Sequence, residues 1–263
     1  MNEVGAYGRP RVQTKFIFMT DNKMRTEILN IDKGQCLTDV LPAIPANTIF
    51  DKTITGCGAT HSEIVNAARH SIIIEPNIPV ILGKKAEHPF LFAVYEGITK
   101  EDVKAYLAGE HDGYRKIITT PEGFDKKVLP AMHELEIPVY KDYFLLFDEC
   151  EKAIQDVGYR GDIYLPVEDF FKFENKAMVS ATPIVPSDPR FEENGFKILK
   201  LVPTYDSRIE LTLCTTNNTV AVMRKLLKRL ENETVCVFLN STETILSLIY
   251  ALRLQGRSRV FCI

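Results

Sequence analysis

The apolar positions of this chain fall into short runs rather than long stripes. Ile72-Ile73-Ile74 and Phe144-Leu145-Leu146-Phe147 are apolar at every consecutive position. Strands of that kind must be covered on both faces, as in a parallel sheet with helices above and below. From Thr48 onward such runs alternate with stretches of helical periodicity. The runs predict strands at 49–53, 71–75, 91–95, 116–119, 143–147 and 177–180. The segments between them predict helices at 60–69, 100–107, 121–135 and 149–157. Upstream, the apolar runs at 15–19 and 26–31 flank Asp21-Asn22-Lys23 and read as a β-hairpin ahead of the main fold. The alternation specifies an α/β class, a doubly wound parallel sheet with helices on both faces.

The pattern breaks at Thr182-Pro-Ile-Val-Pro-Ser-Asp-Pro189, where the prolines cannot continue a helix or a central strand. Beyond it, 197–202, 209–213 and 234–239 predict strands, 220–230 and 242–252 predict helices, and 259–263 resembles the start of another strand. The expected organisation is a hairpin and lead-in at 1–44, a first domain at 45–183, a linker at 184–196, and at 197–263 the start of a second α/β domain that is expected to be truncated.

Composition narrows the class only slightly. Of 263 residues, 45% are hydrophobic and 25% charged, ordinary values for a globular protein. No apolar stretch approaches the roughly 20 residues that span a bilayer, and the N-terminus lacks the layout of a secretory signal. The chain therefore reads as cytoplasmic, with no membrane partner. Cys36, Cys57, Cys150, Cys214, Cys236 and Cys262 are scattered with no C-x-x-C pair, and the five histidines are equally dispersed. That spacing argues against a zinc site or a disulfide framework. A net charge of −3 supplies no overall basic footprint for nucleic acid, although a local groove can be basic on a mildly acidic protein.

Three segments are candidates for chemistry. In Thr55-Gly-Cys-Gly-Ala-Thr60 a strand leads through two glycines into a helix, so that backbone N–H groups and the helix N-terminus can close around an anion. The Thr60 hydroxyl could ligand Mg²⁺ between two phosphates, or simply cap the helix. Asp148-Glu149 follows the most apolar strand, at the sheet edge where α/β proteins place ligands. Asp148 could hold a metal and Glu149 polarise a water, yet acidic residues also favour the first turn of any helix. Ser180-Ala181-Thr182 ends another strand on the same edge, and small hydroxyl residues also serve as ordinary caps.

In combination, the order strand–glycine loop–helix, strand–Asp-Glu, strand–Ser-Ala-Thr resembles the superfamily-2 (DEAD/DEAH-like) helicases and translocases. Their first recombinase-A-like domain carries A-x-T-G-x-G-K-T, then D-E-x-H or D-E-x-D, then S-A-T. This chain reads Thr53-Ile-Thr-Gly-Cys-Gly-Ala-Thr60, Asp148-Glu-Cys-Glu151 and Ser180-Ala-Thr182. His70-Ser-Ile-Ile-Ile-Glu-Pro76 and Ile118-Thr-Thr-Pro-Glu122 resemble the family's two loops on the nucleic-acid backbone. Cys236-Val-Phe-Leu-Asn-Ser-Thr242 resembles the first strand and loop of its second domain. The resemblance spans about residues 45–252. It implies a recombinase-A-like sheet and an ATP- and Mg²⁺-dependent helicase-like activity on DNA or RNA. Thr55, Gly56, Cys57, Gly58, Ala59 and Thr60 would bind phosphate, Thr60 and Asp148 magnesium, and Asp148 and Glu149 would be catalytic. Ser180, Ala181 and Thr182 would couple the site to the strand, and Ser71, Pro76, Thr120 and Pro121 mark loops that meet nucleic acid.

Two residues depart from the pattern. Ala59 stands where the family has its phosphate-binding lysine, a degenerate Walker A loop, and Glu151 stands where His or Asp is usual. ATP binding is therefore expected to be weak, and this stretch by itself inactive. Lys52 and Lys152 lie near the two loops in sequence as possible replacement cations, although most surface lysines do nothing of the kind. The rival reading is a non-catalytic nucleic-acid-binding or scaffold protein that retains the fold.

Overall fold

The computed structural model describes residues 24–150, 167–182, 188–207, 215–229, 235–239 and 241–256. Eight strands form one sheet: β1 (Thr26–Ile31), β2 (Thr48–Asp51), β3 (His70–Ile74), β4 (Phe92–Val94), β5 (Lys116–Thr119), β6 (Tyr143–Asp148), β7 (Asn175–Ser180) and β8 (Lys197–Pro203). Their order is β1-β8-β2-β7-β6-β3-β5-β4, and every pairing is parallel. The helices of this unit are α1 (Leu37–Val40), α2 (Ala59–Ile64), α3 (Ile78–Glu87), α4 (Lys100–Ala108), α5 (Pro121–Gly123), α6 (Leu129–Glu134), α7 (Val139–Asp142), α8 (Val167–Lys172) and α9 (Pro189–Glu193), with a π-helical turn at Phe124–Val128. The fold is the doubly wound α/β architecture that the apolar runs predict.

Each consecutive apolar run feeds two cores. Ile72, Ile74, Leu145 and Phe147 are buried in one cluster with Val103, Val128 and Met132, whereas Ile73, Phe144 and Leu146 join Leu37, Ile64 and Ile81 in another. Alternate side chains point to opposite faces of a strand, so both faces of β3 and β6 need apolar residues.

The end of the first unit differs from expectation. Lys197–Pro203 is β8, paired with β1 on one side and β2 on the other, as in Thr26↔Ile198 and Thr48↔Lys197. It completes the first sheet, and the compact units divide after Ser207 rather than before Lys197. Likewise Thr26–Ile31 is a member of the sheet, parallel to β8; the other expected hairpin arm, 15–19, lies outside the described residues. A run of alternating residues announces a strand but not its partner, and the partner here lies about 170 residues away.

The proline-rich stretch also contains a helix. Pro189 opens α9 at its first turn, where a missing N–H costs nothing, and the Asp188 carboxylate accepts from the Arg190 amide at 2.9 Å as N-cap. Helix α2 is shorter than expected because Asn66 ends it: its side chain accepts from the Ala68 amide and forms a turn. The expected helix 121–135 does run from Pro121 to Glu134. Its π-helical turn lies just ahead of Pro130, whose ring would clash with the carbonyl four residues back in a regular helix.

The second unit, residues 208–263, contains helices α10 (Thr219–Arg229) and α11 (Thr242–Ala251). Residues 235–239, expected as a strand, form none, and Phe238 is 88% exposed. The expected strands at 209–213 and 259–263 lie outside the described residues. Among the described residues no helix is long and apolar enough to cross a membrane.

Candidate nucleotide site

Because the sheet is parallel, the C-terminal ends of β2, β3, β5, β6 and β7 share one edge. That edge gathers Lys52, the loop 53–58, Glu75, Thr120, Asp148-Glu149 and Ser180-Ala181-Thr182. Strand β7 lies between β2 and β6. The Ser-Ala-Thr segment is therefore flanked by the glycine loop and the acidic pair.

The glycine loop is shaped by its backbone. Gly56 and Gly58 have φ of 72° and 86°, and a Cβ at either would meet nothing within 4 Å. Only glycine holds such angles without strain, and the space above both stays open. Gly58 is the N-cap of α2. Thr55 and Gly56 are exposed, whereas Cys57 and Ala59 are buried in the apolar cluster with Leu37 and Ile64. The Cys57 carbonyl accepts from the Leu37 amide at 2.8 Å, fixing the loop to α1. Burial pushes the Cys57 thiol above its ordinary range, against the opposing pull of the Ala59 amide and Lys52.

Across the edge, the half-buried Thr60 hydroxyl donates to Asp148 Oδ2. Asp148 Oδ1 accepts from the Glu149 amide at 3.0 Å. Glu149 itself is at φ 49°, a left-handed conformation that turns the chain sharply as it leaves β6. Thr53, where the chain leaves β2, has φ 40°; its hydroxyl donates to the Leu201 carbonyl of β8 and its amide to Asp51 Oδ1 at 3.2 Å. Ser180 is fully buried, its hydroxyl accepting from the Thr182 amide at 2.9 Å and its carbonyl from the Lys52 amide at 2.9 Å. Thr182 is exposed.

The most consequential cation at this edge is Lys52. Its ammonium lies 2.7 Å from Glu149 Oε1 and 3.3 Å from Asp148 Oδ1, with only 11% of the side chain exposed. Burial opposes the charge, but the two carboxylates outweigh it and hold Lys52 above the ordinary lysine range. Glu75 is a residue that motif reading passes over, whereas Lys52 stands out in sequence by its place beside the loop. It ends β3 next to β6, is 2% exposed, and burial together with the Asp148 charge pushes its carboxyl up to about 7. Its sequence signal is an acid directly after the run Ile72–Ile74, the arrangement that also marks Asp148.

The residues expected at nucleic acid are not all at this edge. Ser71 begins β3 at the opposite end of the sheet and is fully buried, donating to Glu63 and accepting from Lys116 at 2.8 Å. Its hydroxyl is engaged inside the sheet, because the direction of β3 puts the strand's C-terminus, not its N-terminus, at the site. Pro76 is half-buried at the correct edge. Thr120 and Pro121 also lie there but are buried, Thr120 capping α5 by accepting from the Gly123 amide at 3.0 Å. Glu151 and Lys152 lie outside the described residues. Among the described residues no group of three or more His, Cys, Asp or Glu side chains is arranged to hold a metal.

The fold has solved counterparts. The DUF1998 helicase MrfA superposes with a TM-score of 0.54 at 13% identity, covering 83% of this chain and 38% of that one. The Pyrococcus furiosus Hef helicase domain gives 0.43 at 12% identity, covering 86% and 54%. The likeness to MrfA is one of fold alone, the parallel sheet with its covering helices. This chain spans well under two thirds of either structure. No family model and no curated protein matches the sequence.

Proposed function

We propose that this edge is a nucleotide site of superfamily-2 helicase type, and that the chain belongs to a protein that couples ATP to movement on, or remodelling of, DNA or RNA. The observation that carries the reading is the contact of Thr60 with Asp148, eighty-eight residues apart in sequence, beside an open glycine loop at a helix N-terminus. A hydroxyl and a carboxylate are hard oxygen donors of the kind Mg²⁺ takes, so the residues suit a magnesium–nucleotide complex. The metal would supply charge neutralisation between phosphates. The loop 55–60 would cradle phosphate through backbone N–H groups. Glu149, beside Asp148, would orient an attacking water, and Thr182 at the adjoining strand end would pass the state of the site to bound nucleic acid. The MrfA likeness supports the helicase class through fold.

A second reading has an observation of its own. Ala59 is packed into the core, so the loop has no side-chain cation there. A scaffold that keeps the fold without hydrolysis would tolerate that loss. Calorimetry with Mg-ATP separates the two readings. Micromolar or tighter binding that Asp148→Asn weakens only when magnesium is present supports the nucleotide site. Absence of binding in magnesium, with labelled single strands still bound, supports the scaffold.

A further inference from the structure

Resting on the nucleotide-site reading, we infer that Lys52 supplies the phosphate-binding cation that Ala59 does not. The sheet edge carries the carboxylates of Asp148 and Glu149 side by side at the end of β6, with Glu75 just past the end of the adjacent β3. An edge so charged repels a polyphosphate unless cations oppose it. The position that carries the family's lysine is occupied by a methyl group buried against Leu37 and Ile64, and a lysine stem there would have to leave the core. Lys52 is the last residue before the loop turns, its amide pinned to Ser180 of β7 at 2.9 Å. From there its stem crosses the end of β7 to reach both carboxylates that end β6.

An ammonium on a four-carbon stem is a mobile point charge with three donors. With Asp148 and Thr60 holding magnesium, the attraction that keeps the ammonium on that carboxylate would weaken, and the nearest new negative charge would be phosphate in the adjoining loop. Lys52 would thus serve the acidic pair before nucleotide arrives and the phosphate afterwards. The opposite possibility, an internal plug that excludes metal and nucleotide, makes the contrary prediction for its removal.

The test uses the whole 263-residue chain in a Glu149→Gln background, which on the nucleotide-site reading would keep bound ATP uncleaved and which removes one of the two carboxylates in contact with Lys52. Equilibrium binding of Mg-ATP is compared with and without Lys52→Met, with thermal melts of both proteins as a folding check. Loss of one charge-assisted phosphate contact is expected to weaken binding about ten- to a hundredfold. Lys52→Arg, which keeps the charge, should recover most of that loss. An affinity unchanged within threefold, or tighter binding by the Lys52→Met variant, overturns the inference and leaves the site reading standing. If the Glu149→Gln protein with Lys52 intact binds no Mg-ATP, the site reading itself falls.

Discussion

At the scale of single residues, the site is a balance of buried charges. Glu75 illustrates how burial and a neighbouring carboxylate set a proton's affinity. Its ordinary value is 4.5, and burial together with Asp148 raises it to about 7, against the Asn77 amide and side chain that favour the charged form. Between those values the folded chain binds more protons than the unfolded chain, so stability falls as pH rises through the window. The full effect, present above about pH 7, is on the order of 3 kcal/mol. Glu75→Gln keeps the acceptor toward Asn77 and removes the titration. Urea unfolding at pH 4, 6 and 8 should show the variant gaining on the wild type as pH rises, with the curves converging at pH 4. Parallel curves would show that Glu75 is not protonated in the folded state.

At the scale of elements, the opposite end of the sheet is tied by a buried ionic network. Glu63 of α2 is fully buried and accepts from Arg69 at 2.5 and 3.1 Å and from Ser71 of β3. Lys116 of β5 lies 3.5 Å from its carboxylate and donates to its carbonyl at 2.9 Å. Burial lowers Lys116 to about 8, with Glu63 resisting. The Arg69 guanidinium also lies 3.4 Å from the centre of the Phe144 ring of β6. One carboxylate therefore anchors the helix behind the glycine loop to two strands. Removing it leaves two cations without their counter-charge, one of them buried, and Glu63→Ala should cost about 3–5 kcal/mol. Glu134→Ala, which removes an exposed partner of Lys100 and Lys104 on the surface, should leave stability nearly unchanged. Denaturant titration of the two variants checks the contrast; equal losses would mean that the network does not anchor α2.

At the scale of the whole molecule, every strand of the sheet lies between Thr26 and Pro203. The unit ending at Ser207 therefore contains both hydrophobic clusters of the sheet. A chain stopped at Ser207 should fold by itself, with an α/β circular dichroism spectrum and a single cooperative urea transition. A chain stopped at Phe196, where sequence pattern alone would place the end of the linker, should not. It loses β8 and leaves β1 and β2 with no strand to join them. If both truncations unfold alike, the boundary drawn from strand pairing is wrong.

Local pattern was enough for the class and for most of the elements. Consecutive apolar residues at 72–74 and 144–147, short and bounded by polar residues, read as strands buried on both faces, and Gly56 and Gly58 announce their loop because no other residue holds those angles without strain. The position of the acidic pair after Phe147, at the C-terminal edge of the parallel sheet, is likewise readable. Strand partners were not readable: β8 looked like the start of something new because pairing with β1 and β2 is a contact across about 150 to 170 residues. Ser71 lies at the end of β3 away from the site, where its hydroxyl is engaged with Glu63 and Lys116. Also unreadable were the surroundings of Glu75 and the ion pairs of Lys52, whose place beside the loop alone is legible in sequence. Each residue is an ordinary charged residue at a strand end in sequence, and each acquires its chemistry only when the parallel sheet sets β2, β3 and β6 side by side. Periodicity is a property of neighbours along the chain and survives in the sequence, whereas a buried charge is defined by what folding places around it.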